Sequence, residues 1–226
     1  MKSPFVHSAL IAIAAWAAAS AAYAAARATV SRGPIGYGRE TTGGGGGPTC
    51  RVTDLATLRA CVAGAAPRNV VVAGGPLTIE IDRPPVDVGS NKTIDGAGVL
   101  SIVFTRRGLR LKDSANVIVR GVRFRSTLKN TLPTDNCIHP AGPDQVRGCG
   151  VAISLEGATV NVWIDHNDFT QCGDKCITGW GQPESAGRVP APDLISVSNN
   201  RFTDSYYAML FGVSKRVGGA RYPDHP

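Results

Sequence analysis

The chain is poor in charge, in aromatics and in methionine. Charged residues make 18% of its 226 positions, aromatics 6%, and methionine appears 2 times. A hydrophobic share of 43% is nonetheless ordinary, so the chain as a whole is not disordered. No every-third-residue glycine period is present, which excludes collagen. No sustained heptad is present, which excludes a long coiled coil. Beyond residue 24 no apolar run approaches the roughly 20 residues of a membrane-spanning helix. What the chain does have is turn chemistry, with 27 glycines and 15 prolines. That composition describes a turn-rich globular chain with more strand than helix.

The first 24 residues are set aside before fold reasoning. Lys2 precedes the stretch Ala9 to Ala22, whose one polar residue is Ser20, and Ala22-Tyr23-Ala24 follows. This is the pattern of a secretory signal peptide over residues 1–24, cleaved after Ala24. The protein is therefore expected to be secreted, extracellular or periplasmic, with no membrane attachment after cleavage. The net charge is +7, one less without Lys2.

An oxidising destination changes how the cysteines read. The set is Cys50, Cys61, Cys137, Cys149, Cys172 and Cys176. An even count in an exported chain favours disulfides, although fifteen pairings are open. Local spacing suggests Cys50–Cys61, Cys137–Cys149 and Cys172–Cys176. Zinc is the rival, and Cys172 and Cys176 have a tolerable ligand spacing. No second Cys/His knuckle follows them.

Residues 25–48 form a glycine-rich lead-in, and its run Gly43 to Gly47 reads by composition as a flexible loop. Thr53 to Gly64 is the one good helix. Asp54 can cap it, Leu55, Leu58 and Val62 share a face, and Gly64 ends it. Short strands follow: Val70–Ala73, Leu77–Ile81, Val86–Val88, Ile102–Phe104, Leu109–Leu111 and Val117–Phe124. Val151–Leu155, Val160–Phe169, Leu194–Phe202 and Met209–Phe211 complete them.

Several of these segments share an outline. Asn116 to Phe124, Asn161 to Phe169 and Asp193 to Phe202 repeat it, and Asn91 to Val99 is a weaker copy. Matching positions lie 25, 45 and 33 residues apart. With a coil of about 20 residues or slightly more, the gap of 45 is expected to hold two coils, with Val151–Leu155 in between. The gap of 33 is expected to hold one coil plus an inserted loop, Trp180 to Pro192. Repeats of short strands at this period indicate a solenoid. The expected fold is all-β, a right-handed single-stranded parallel β-helix over residues 49–226, with a short capping helix at its N-terminal end. Stacked coils hide their inner faces against neighbours, so few charges suffice. An antiparallel sandwich also uses many short strands, but the recurring outline favours the solenoid.

These residues also carry a family resemblance. Gly36-Tyr37-Gly38, Thr41-Thr42-Gly43-Gly44 and Leu55-Ala56-Thr57-Leu58-Arg59 resemble the start of a pectate lyase of polysaccharide lyase family 1. Ser90 to Gly96, Asn116 to Arg120 and Val162-Trp163-Ile164-Asp165-His166 resemble its next signatures. Cys172 to Ile177, Ile195 to Asn200 and Met209 to Gly212 continue in the family's order. The resemblance implies a parallel β-helix that cleaves pectate, a polymer of galacturonate, by β-elimination. It implies calcium as cofactor, bound by converging acids on adjacent coils. It implies an arginine base on the coil after the one ending in Leu210-Phe211-Gly212, beyond Pro226; Arg216 and Arg221 do not carry that motif. By this resemblance the chain looks like a lyase truncated at its C-terminus.

The same comparison marks departures. Asp174 falls on a calcium-ligand position, but the partner acid four residues on is Thr178. The preceding coil offers Gly150-Val151-Ala152 where further acids are expected, with Asp135 and Asp144 nearby in an insertion. The lysine expected before Met209 is replaced by Tyr206 or Tyr207. Lys175, Tyr206 and Tyr207 are the candidate substrate-binding residues, against a solvated lysine and tyrosines packed on the flank. Asp165 and His166 are the candidate catalytic pair, a carboxylate beside an imidazole. In a strand, neighbours face opposite ways, so a simple dyad is not expected and a structural role weighs more. Trp163 reads as packing between coils.

A positive net charge fits a polyanion, and acidic polysaccharide is the expected partner. Arg106, Arg107, Arg110, Lys112, Arg120, Arg123 and Arg125 form a basic stretch that alternation would turn outward. No nucleic-acid motif accompanies it, so a nucleic-acid partner is not expected. Glycoside hydrolysis needs paired acids, which Asp165, Asp168 and Asp174 do not obviously supply. Two functions remain: a monomeric, calcium-assisted pectate lyase, or a non-catalytic β-helix that binds acidic polysaccharide.

Overall fold

A computed structural model describes residues 33–127, 150–180 and 190–212. The signal sequence, Cys137 with Cys149, Asp135, Asp144, Arg216 and Arg221 lie outside the described residues. No described helix is long and apolar enough to cross a membrane.

The first apolar alternation after the lead-in forms β1 (Thr49–Val52), and helix α1 (Leu55–Val62) follows it. Asp54 caps α1. Its carboxylate accepts from Thr57 N at 2.7 Å, and the Thr57 hydroxyl accepts from Asp54 N at 3.0 Å. The bonds from Thr57, backbone first and side chain second, hold the Asp54 carboxyl below its ordinary pKa. Leu58, Cys61 and Val62 are buried at the end of the stack, and Cys61 is bridged to Cys50 of β1.

Beyond α1 the chain winds in coils of three strands. The first holds β2 (Arg68–Val72), β3 (Leu77–Ile81) and β4 (Val86–Asp87). The second holds the long bent β5 (Lys92–Phe104) and β6 (Arg107–Lys112). The third holds β7 (Ala115–Ser126) and β8 (Val151–Glu156). The fourth holds β9 (Val160–Asp165), β10 (Asp168–Thr170) and β11 (Lys175–Trp180). The fifth holds β12 (Asp193–Ser198), β13 (Arg201–Thr203) and β14 (Tyr207–Gly212).

Every pairing among the described residues is parallel, which makes the architecture a parallel β-helix with three faces. The first face runs from β1 through β2, β5, β7 and β9 to β12. The second takes β3, the far halves of β5 and β7, β10 and β13. The third stacks β4, β6, β8, β11 and β14.

One expectation about the coils is corrected. Val117 pairs directly with Val162, and Ile118 with Trp163, so the gap of 45 is one coil with an insertion. Val151–Glu156 is the third face of that coil, not a coil of its own. The repeated outline marks only one of three strands per coil, and corners absorb insertions without breaking register. The gap of 33 is one coil with an insertion, since Val162 pairs with Ile195.

Corner residues explain why single expected strands divide in two. His166 and Asn199 adopt left-handed backbone, φ 50° and 52°, and break Val160–Phe169 and Leu194–Phe202. Asn167 sits inside that corner. It accepts from Val122 N at 3.0 Å and donates to Val119 O at 3.0 Å, and its own N–H donates to Asn200 Oδ1 at 2.9 Å. Within the coils Phe124, Phe169 and Phe202 stack at 5.0 Å, their planes 7° apart.

The glycine run is not a free loop. Thr42 N and Gly43 N each donate to Asn116 Oδ1 at 2.7 Å, and Gly44 N donates to Thr93 Oγ1 at 2.9 Å. A Cβ on Gly44 would lie 2.2 Å from Arg68 O, and one on Gly47 would lie 2.5 Å from Pro67 O. Glycine is needed here for close approach, so the segment straps the first face.

The basic stretch is also not a bare positive face. Arg110 pairs with Asp87 at 2.5 Å, Arg107 with Glu156 at 2.6 Å and Arg120 with Asp95 at 2.8 Å. Parallel stacking sets Asp87 beside Arg110 and Asp95 beside Arg120 in register, one coil apart. Arg123 and Arg125 stay exposed on the second face.

Candidate functional site

Four of the residues singled out from the sequence meet on the third face. The Cys172–Cys176 disulfide closes a tight loop just before β11 and presents Asp174 and Lys175. One coil on, Tyr206 N donates to Cys172 O at 3.1 Å and Tyr207 N to Asp174 O at 3.0 Å. Lys175 and Tyr207 are register partners.

The cluster is built around a buried carboxylate. Asp174 is 7% exposed, and Lys175 Nζ donates to its Oδ1. The same ammonium lies 5.7 Å from the Tyr207 ring centroid, a cation–π distance. Tyr206 and Tyr207 meet edge to face at 4.6 Å. The charge of Tyr207 most of all, then desolvation and the Tyr207 hydrogen bond, with Asp174 last, raises the Tyr206 phenol pKa. Lys175 is therefore half of an ion pair and not the freely solvated lysine of the sequence reading.

Asp165 and His166 occupy a different corner, between the first and second faces. Strand alternation predicts that they diverge, and the structure corrects this. The left-handed backbone at His166 turns its ring back, so that Nδ1 lies 2.5 Å from Asp165 Oδ2. Asp165 is buried, and its Oδ1 accepts from Ser198 Oγ at 2.7 Å and Asn199 Nδ2 at 3.0 Å. Trp163 Nε1 donates to Ser198 Oγ at 2.8 Å and is packed away from solvent.

The described residues around Asp174 do not fit calcium. The ion takes roughly six to eight hard oxygen ligands. Thr178 stands beside Ser154 in register, and both buried hydroxyls lack a hydrogen-bond partner. Gly150 of the preceding coil has φ 73°, and a Cβ there would come 2.5 Å from Gly173 N, so no acid fits at that position. Among the described residues no group of three or more His, Cys, Asp or Glu could hold a metal.

Lys92 escaped the sequence reading as anything but part of a motif. It is fully buried, and its Nζ donates to Gly64 O at 2.8 Å, Ala66 O at 2.8 Å and Ser90 O at 2.5 Å. A lysine inside an apolar strand pattern was the available signal.

Parallel three-stranded coils under a helical cap, with stacked aromatics inside, define a parallel β-helix. The chain belongs to the pectate lyase family, whose model matches residues 6–221. It is similar to pectate lyase A of Emericella nidulans, 36% identical over 191 residues that cover 83% of this chain and 51% of that protein. It is similar to probable pectate lyase 6 of Arabidopsis thaliana, 31% identical over 190 residues that cover 79% of this chain and 39% of that protein. The chain thus spans about half or less of the length of these relatives.

Two solved structures share the fold. One is jun a 1, the major allergen from cedar pollen, with TM-score 0.54, 24% identity and coverage of 75% of this chain and 49% of that one. The other is a pectate lyase from a Bacillus species in complex with trigalacturonate, with TM-score 0.51, 19% identity and coverage of 83% and 58%.

Proposed function

We propose that the protein is a secreted polysaccharide lyase that cleaves pectate by β-elimination on its third face. Family membership across most of the chain carries this reading. The convergence of Asp174, Lys175, Tyr206 and Tyr207 on one face supports it.

The reaction removes the C5 proton of a galacturonate and breaks the C4–oxygen bond. The departing oxygen takes up a proton, and a C4–C5 double bond remains. The C5–H is poorly acidic beside an ionised carboxylate, so a cation near that carboxylate stabilises the carbanion-like transition state. Lys175 supplies positive charge, and the two tyrosines offer flat faces for sugar rings. The base that the resemblance implies belongs to a coil outside the described residues. Calcium assistance is the family expectation. Asp165 and His166 hold their corner, because every oxygen of that carboxylate is already engaged.

The test is ultraviolet absorbance of unsaturated product from polygalacturonate, with the full-length folded protein, with and without chelator. Product is expected, and folded protein that yields none overturns the proposal. Asp174→Ala removes the carboxylate that positions Lys175 and is expected to lower the rate about tenfold, a loss of about 1.4 kcal/mol; an unchanged rate removes Asp174 from the site.

Two observations favour a second reading. A tyrosine pair stands where the resemblance expects a lysine, and one described carboxylate stands where it expects several. A non-catalytic β-helix would be retained on immobilised polygalacturonate and release no unsaturated product.

A further inference from the structure

Asp174 is a buried carboxylate, and such a group requires a counter-charge. Its immediate neighbour supplies one. Lys175 Nζ bonds the carboxylate directly, and the Tyr207 ring lies 5.7 Å from the ammonium. The pair is held on both sides. The Cys172–Cys176 bridge closes the loop that carries the pair, and Tyr207 N anchors Asp174 O from the next coil. Among the described residues, the preceding coil sets no carboxylate beside Asp174, because Gly150 leaves no room for a side chain. The register partners Ser154 and Thr178 are neutral. The result is an electroneutral cluster where the family resemblance calls for a divalent ion.

We propose that Lys175 is a built-in cation that takes the place of calcium beside Asp174. The ammonium has three protons, and one is used on Asp174. The others are available to the carboxylate of a uronic acid, so this face engages an acidic sugar without bound metal. The inference rests on the sugar-binding reading of the third face, but its test uses neither sugar nor turnover.

The experiment is calorimetric calcium titration of the full-length protein, paired with thermal melting in calcium and in chelator. Wild-type protein is expected to take up no calcium and to keep its Tm. Lys175→Met leaves Asp174 without its counter-ion and is expected to melt about 4 °C lower. Calcium should restore little of that loss, because too few described oxygens surround Asp174. Lys175→Arg keeps the charge and should behave as wild type. Saturable calcium uptake by the wild type, abolished in Asp174→Asn, overturns the proposal. A Lys175→Met protein as stable as wild type overturns it as well, because Asp174 would then need no counter-ion. If Lys175→Met does not fold, the wild-type titration and the Asp174→Asn variant decide. A failed lyase reading would appear separately, as missing unsaturated product with the calcium result intact.

Discussion

Leu194 is in left-handed backbone, φ 53°, and 37% exposed. The same corner in earlier coils carries Asn91, Asn116 and Asn161, at φ 56°, 60° and 55°. Left-handed backbone disfavours an L-residue by about 1–2 kcal/mol, and asparagine tolerates it best after glycine. Asn116 Nδ2 already donates to Asn91 Oδ1 at 2.9 Å, whereas Asn161 Oδ1 is buried without a partner. Leu194→Asn would extend the ladder and offer that oxygen a donor. It is expected to stabilise the protein by about 1 kcal/mol, read as a raised urea midpoint. An unchanged or lowered midpoint would show that Leu194 packs well enough to offset its backbone.

Helix α1 depends on groups at both ends. At its start, the folded state depresses the Asp54 pKa. The ionised cap therefore adds stability above the unfolded carboxyl pKa, and that contribution is lost as pH falls through the lowered folded value. Asp54→Asn keeps a cap that does not titrate. The stability gap between wild type and Asp54→Asn should shrink across that acid window in a series of urea melts; a constant gap contradicts the assignment. At the other end, Lys92 of β5 gathers the carbonyls of Gly64, Ala66 and Ser90. Lys92→Met would strand them, with an expected loss of about 2–4 kcal/mol. A loss below about 1 kcal/mol would mean that water replaces the ammonium.

Across the whole molecule, the lead-in decides how the first face is covered. The strap reading and the flexible-loop reading part at two glycines. Gly44 has Arg68 O at 2.2 Å from its would-be Cβ, whereas Gly46 has nothing within 4 Å. Gly44→Ala should lower stability by about 1–3 kcal/mol in urea denaturation, while Gly46→Ala should leave it near wild type. Equal effects would return the segment to a loop. This case also shows how far the sequence was legible. Composition located the glycine run correctly but misjudged its purpose, because the atoms that crowd it belong to Pro67 and Arg68, which are distant in sequence and adjacent only in the fold.

The sequence by itself determined the coil. Short apolar alternations, the recurring outline led by asparagine and the Asp54 cap are local signals, and they specified stacked parallel strands behind one helix. The two local disulfides Cys50–Cys61 and Cys172–Cys176 were legible in the same way. Only the tertiary structure decided which strands stack and what each polar side chain meets. Arg120 finds Asp95 across 25 residues, and Val122 finds Asn167 across 45. Such separations depend on register and inserted length, which no local pattern encodes. The two neighbouring pairs, Asp165 with His166 and Asp174 with Lys175, needed the fold for a different reason. A left-handed turn overrides strand alternation at the first, and the second lies in the disulfide-closed loop just where β11 begins.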